Sequence, residues 1–204
     1  MRKLIWLSLL LPCLLGFLPS LALAANCSQE RFGCGKKYMG FQVGYGSGFS
    51  LGFSGNGDGH EVEYVAAFPS LGVGISDLKW DNDWYRGSFD LVVEGEFIKS
   101  FEPRDGFSAG MTLLARYNFL TWMRFVPYAE AGAGVGYLDF NLMDQEDGFI
   151  FYPQVGLGFQ YFLTGRMAVN TSIRLHHISN AGTNMPNNGI TSGLVLAGFT
   201  FFLD

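Results

Sequence analysis

Arg86-Gly87-Ser88-Phe89-Asp90-Leu91-Val92-Val93-Glu94-Gly95-Glu96-Phe97-Ile98 is the stretch whose reading decides the architecture. Phe89, Leu91, Val93 and Phe97 fall on one parity, while Arg86, Ser88, Asp90, Glu94 and Glu96 fall on the other. A two-residue period of this kind describes a strand with one apolar and one polar face. Segment 107–119 repeats it, setting Phe107, Ala109, Met111, Leu113, Ala115, Tyr117 and Phe119 against Ser108, Gly110, Thr112, Arg116 and Asn118. Segments 125–138 and 149–162 follow the same rule, and in all four the odd-numbered face is the apolar one. Less regular segments at about 38–47, 61–76, 166–179 and 191–203 bring the number to eight.

Eight two-faced strands are compatible with a soluble sandwich or with the smallest outer-membrane barrel. The minority face separates them. It carries Glu94, Glu96, Glu130, Arg116 and Arg174 among many glycines, a mixture suited to a narrow lumen closed by ion pairs and small residues. The fold expected is therefore all-β, an eight-stranded antiparallel transmembrane β-barrel of the outer-membrane type. Short connections at 120–122 and 163–165 mark the periplasmic end, and longer ones at 47–60, 99–106, 139–148 and 180–190 the outer end. Trp80, Trp84 and Trp122 fall on the periplasmic turns, where an interfacial belt would want them.

Outside the strands, residues 1–24 read as an export signal, with Arg2 and Lys3, an apolar run from Leu4 to Leu18, and the small-x-small site Ala22-Leu23-Ala24. Residues 25–37 then form an N-terminal periplasmic segment and 38–204 the barrel. Cys27 and Cys34 make a close pair able to form a disulfide in an oxidising compartment. After residue 24 no uninterrupted apolar run reaches about 18 residues, which excludes helical membrane spans. The formal net charge of −5 and the lack of a Lys/Arg cluster argue against a nucleic-acid partner. No residue pattern calls for a cofactor or a metal, and the acidic run Asp144, Glu146, Asp147 reads as solvated loop charge.

The seventh strand holds the candidate chemistry. Its odd positions, Val169, Thr171, Ile173 and Leu175, are largely apolar, and its even positions, Asn170, Ser172, Arg174 and His176, are polar. Continuing the odd series places His177 and Ser179 on the outer, lipid-facing surface at the outer end of the strand. Two residues apart on one face, their α-carbons are separated by about 6.5–7 Å, within reach for an imidazole that takes the seryl proton. Asn180 follows, with an amide able to help stabilise an oxyanion. The competing reading is that the strand has already emerged into water at 177, where exposed polar residues cost nothing. His176, on the opposite parity, belongs with Arg174 in the lumen, and His60 sits in a glycine-rich outer loop.

The run His177-x-Ser179-Asn180-Ala181-Gly182, followed by Pro186-Asn187-x-Gly189-Ile190, resembles the PagL-type lipid A 3-O-deacylases. Pro127-Tyr128-x-Glu130-x-Gly132-x-Gly134 and Gln154-Val155-Gly156-Leu157-Gly158-Phe159 strengthen the likeness. The resemblance implies an exported outer-membrane serine esterase acting on the acyl chains of lipid A, or lipopolysaccharide, at the barrel's outer surface. In it His177 is the general base, Ser179 the nucleophile, and Asn180 with nearby backbone amides of the Gly182 turn the oxyanion stabilisers. Asn187 matches the family's loop asparagine. The family's triad acid falls at Thr191, so the pattern departs from a full Ser-His-acid set. A non-catalytic small barrel, serving envelope structure, adhesion or lipid A binding, is the alternative that this departure motivates, and a homodimer is left open.

Overall fold

The computed structural model describes residues 31–49, 62–81, 83–120 and 124–203. The segment read as an export signal, Cys27, His60 and Trp122 lie outside them. Among the described residues nine regular strands make eight spans: β1 (Lys37–Gly48), β2 (Glu63–Gly74), β3 (Gly87–Glu102), β4 (Gly106–Phe119), β5 (Phe125–Asp139), β6 (Gly148–Phe151), β7 (Gln154–Phe162), β8 (Met167–Ile178) and β9 (Ile190–Phe202). Each pairs antiparallel with its neighbours, and β1 pairs with β9, so the sheet closes on itself. Closure leaves no strand edge unpaired, the condition for crossing a bilayer as a sheet.

β6 and β7 are two halves of one span. Against β5 their register is continuous, with Val135 opposite Phe151 and Gly132 opposite Gln154. Pro153 interrupts the regular ladder because it has no N–H to donate. The expected long connection at 99–106 is not formed. β3 runs to Glu102 and β4 starts at Gly106, with the turn held by Ser100 Oγ donating to the Arg104 carbonyl at 2.8 Å.

The parity read from the sequence holds around the ring. Leu113, Val155, Leu157 and Val195 are exposed on the outside, whereas Glu94, Arg116 and Arg174 are buried inside. An eight-stranded barrel is just wide enough for side chains to fill it, and here they do so in three layers. An ionic belt lies in the middle. Arg174 reaches across the lumen to Glu94 through Nη1 and Nη2 at 2.5 and 2.9 Å, and its Nε donates to Glu130 at 2.8 Å. Arg116 meets the other Glu130 oxygen at 2.8 and 3.0 Å. Glu96 accepts from Thr112 and Gln154 and faces His176 at 3.4 Å.

An apolar layer containing Phe68, Ile98, Leu138, Phe140, Ile150 and Ile178 lies on one side of the belt. On the other side Val92, Leu114, Val126, Phe162 and Phe202 pack with Phe32, which enters from the segment before β1 and meets Phe202 edge-on at 5.3 Å. The sequence points to ion pairs and small residues in the lumen, and the apolar layers add to them. The added layers are built by apolar residues on the even face, among them Val92, Ile98, Leu114, Val126 and Leu138, which share that face with the charged ones. Outside, Trp80, Trp84, Tyr85, Tyr117 and Phe89 form a chain of ring contacts at the end holding the 75–86 connection, as an interfacial girdle does.

The belt makes Arg174→Met a sharp test of the fold. Losing the guanidinium leaves Glu94 without its ion pair and Glu130 with one partner, at an expected cost of about 3–5 kcal/mol. Urea unfolding of the barrel in lipid vesicles should show it, while the outward Leu113→Val should shift the midpoint little.

Candidate active site

β8 carries the candidate residues to the rim. Arg174 and His176 point inward, so the two-residue period turns Leu175, His177 and Ser179 outward. The last two strands pair in a register that sets His177 directly opposite Thr191. The His177 N–H donates to Pro153 on β7's side and the Thr191 carbonyl accepts from Phe49 on β1's side. With their backbone groups turned away from each other, the two residues form a non-hydrogen-bonded pair, the kind whose side chains come closest. His177 Nδ1 and Thr191 Oγ1 are 2.8 Å apart. When Nδ1 carries the proton, the threonine accepts it, and Nε2 is left as the basic nitrogen.

Ser179 lies one step beyond β8, in a bridge with Phe151 made by both backbone hydrogen bonds, at 2.7 and 3.2 Å. It is partly exposed, and among the described residues its hydroxyl has no hydrogen-bond partner. The two candidate residues thus share a face. Their contact is not made in this structure, as is common for catalytic pairs before substrate binds.

The loop after Ser179 is built by Asn180. Its buried amide donates to the Asn184 carbonyl and accepts from the Gly182 N–H, both at 2.9 Å, and its carbonyl accepts from Thr183. Asn187 Oδ1 accepts from the Asn180 N–H at 3.1 Å. The chain between them turns through left-handed Ala181 (φ 54°) and Gly182 (φ 76°). Asn180, expected as an oxyanion donor, uses its amide oxygen and one of its two amide N–H groups on loop geometry. Among the described residues the amides of Asn180, Gly182 and Thr183 are occupied, which leaves the exposed Ala181 N–H.

A second loop braces the first, and the sequence did not reveal it. Residues 144–146 run antiparallel to 186–188: Asn188 N–H donates to Asp144 O at 3.0 Å, Glu146 N–H to Pro186 O at 2.8 Å, and Gln145 bridges to Asn187. The acidic run is engaged here too, since Asp147 accepts from the Phe140 and Asn141 amides. Gly189, at φ 70°, lies against the imidazole; a Cβ there would stand 2.7 Å from His177 Cε1 and 3.0 Å from Nε2. Only glycine satisfies both the backbone conformation and the contact.

Below the pair, on the lipid-facing side, an open groove of about 560 Å³ runs between Val155, Leu157, Ile173, Leu175 and Val195, with Phe49 along one wall and Gly193 in its floor. It starts two residues from His177 and Thr191 along their own strands. It spans the matching residues 155–157, 173–175 and 193–195 of three paired strands, two strand steps or roughly 7 Å. An outward side chain at 193 would occupy it.

A family model described as lipid A 3-O-deacylase (PagL) matches residues 69–200, well over half of the chain. The chain belongs to this family. Its fold is also that of solved outer-membrane barrels. The crystal structure of Neisserial surface protein A (NspA) aligns with a TM-score of 0.58 at 18% identity, over 81% of this chain and 96% of that one. The crystal structure of the outer membrane enzyme PagL aligns with a TM-score of 0.52 at 20% identity, over 81% and 98%. No curated protein sequence matches significantly. Fold and family together put the PagL-type chain in the outer membrane and associate it with lipid A; nothing in either supports a homodimer. Cys34 is exposed, and its pairing with Cys27 falls outside the described residues.

Gly189→Ala tests the arrangement of the ring directly. The substitution forces an unfavourable backbone, costing about 1–2 kcal/mol, and pushes the imidazole away from Thr191. Two-dimensional ¹H–¹⁵N spectra of the histidine rings should show His177 moving from one tautomer to a mixture, with the His176 signals unchanged.

Proposed function

We propose that this chain is an outer-membrane serine esterase that removes an ester-linked acyl chain from lipid A on the lipid-facing barrel surface. The observation that carries the proposal is the His177–Thr191 pair at the mouth of an apolar groove, with Ser179 on the same face. A groove open to the bilayer takes an acyl chain without drawing it through water, and it ends where the ester would meet the nucleophile.

In this mechanism Ser179 Oγ attacks the acyl carbonyl while its proton passes to His177 Nε2. The oxyanion is received by backbone amides of the Asn180–Gly182 turn, that of Ala181 first, with Asn180 and Asn187 holding the turn in shape. Collapse expels the sugar alkoxide, which takes the proton from the imidazolium and leaves an acyl-serine. Water, deprotonated by His177, then attacks that ester, and breakdown returns the proton to Ser179 and frees the fatty acid. Thr191 takes the part of the triad acid in orienting the ring. Being neutral, it stabilises the imidazolium less than a carboxylate does.

Mass spectrometry of lipid A from cells with and without the protein is the deciding experiment. Loss of one hydroxyacyl chain is expected with the native chain, and none with Ser179→Ala or His177→Ala, both of which should still insert as folded barrels. Unchanged lipid A with the native chain would make this a lipid-binding or structural barrel.

Thr191→Glu separates the chemistry from binding. A carboxylate opposite His177 should raise the initial rate of acyl release about ten-fold, equivalent to roughly 1.4 kcal/mol of transition-state stabilisation. Thr191→Val should lower it. Rates unaffected by either change would remove position 191 from the mechanism.

A further inference from the structure

We propose that Gln145 is a positioning residue for His177, acting through the backbone of Gly189 to hold the free edge of the imidazole toward Ser179. The inference rests on the esterase reading above and assigns a part to a residue outside the sequence motif. Gln145 belongs to the outer loop between β5 and β6 and is 1% exposed. Its Oε1 accepts from the Gly189 N–H at 2.9 Å, across 44 residues of chain, and its Nε2 donates to the Glu146 carbonyl at 3.1 Å. Turning the amide over would face N–H against N–H at one end and oxygen against oxygen at the other, so its orientation is fixed.

The reason for such a brace lies in the missing acid. Thr191 holds the ring at Nδ1 alone, through a neutral hydroxyl. One weak tether leaves the imidazole able to swing about its bond to Cβ. Gly189 stands against the neighbouring edge, the one bearing Cε1 and Nε2, and limits the swing only while its own backbone stays in place. Its N–H bond to Gln145, flanked by the Asp144–Asn188 and Glu146–Pro186 bonds, keeps it there. A misplacement of about 1 Å in a reacting group can cost a hundred-fold in rate.

The test uses the full-length barrel in detergent with lipid A as substrate, comparing Gln145→Leu with Gln145→Glu. Leucine removes the acceptor, whereas a buried glutamate, kept protonated by desolvation, retains an acceptor oxygen for Gly189 and an O–H donor for the Glu146 carbonyl. We expect kcat to fall about ten- to hundred-fold in the leucine variant with KM little changed, and the glutamate variant to stay within about three-fold of the native rate. Histidine ring spectra should show His177 losing its single tautomer with leucine and keeping it with glutamate. A leucine variant with native ring signals, or a glutamate variant as impaired as leucine in both readouts, would overturn the proposal. If the native protein cleaves no lipid A, the esterase reading fails, and the ring spectra still decide whether Gln145 positions His177.

Discussion

Arg174 crosses the lumen to Glu94 and reaches Glu130 on the way, so that one guanidinium ties β8 to β3 and β5. Charges carried into a barrel surrounded by lipid are costly unless each is paired and hydrogen-bonded, and these are. The consequence for β8 is geometric. With Arg174 locked inward, and His176 beside it facing Glu96, every odd residue of that strand must face out. A slip of one position would bury His177 and expose Arg174 to lipid. The outward placement of the candidate pair is thus enforced by the interior ionic belt.

The same strand joins two regions of different character. Its middle is clamped by buried charge and by ladders on both sides, and its end opens into a loop held mainly by side-chain amides. Asn180, Asn187 and Gln145 between them satisfy backbone groups that no sheet reaches. Neutral amides suit this position at the membrane rim, because they can donate and accept without carrying a charge toward the hydrocarbon. The two outer loops are consequently joined into one collar next to His177. A site on a lipid-facing wall has no deep cleft to enclose it, and in the esterase proposed above this collar would supply the pre-organisation that walls supply elsewhere.

On the sheet itself small residues shape the surface. Gly193 stands in line with Thr191 on β9 but offers no side chain, and the space it vacates is the floor of the apolar groove. Pro153, beside His177 on the other flank, breaks β6 from β7 while leaving the register intact. Polar and apolar parts of the candidate site therefore share β8 and β9, separated by a single two-residue step.

Alternation in segments such as 86–98 and 107–119 determined the strands, their parity and the number of spans, because a strand's two faces are written in adjacent residues. The placement of His177 and Ser179 outside, and of Glu94, Arg116 and Arg174 inside, followed from the same local period. Only the closed structure decided which residues meet across strands. That Thr191 stands opposite His177, that Gln145 holds Gly189, and that Phe32 fills one end of the lumen depend on register between distant segments. Periodicity fixes the face on which a residue lies, while partners are fixed by closure of the ring and the pairing of buried charges, both of which act at once on residues far apart in the chain.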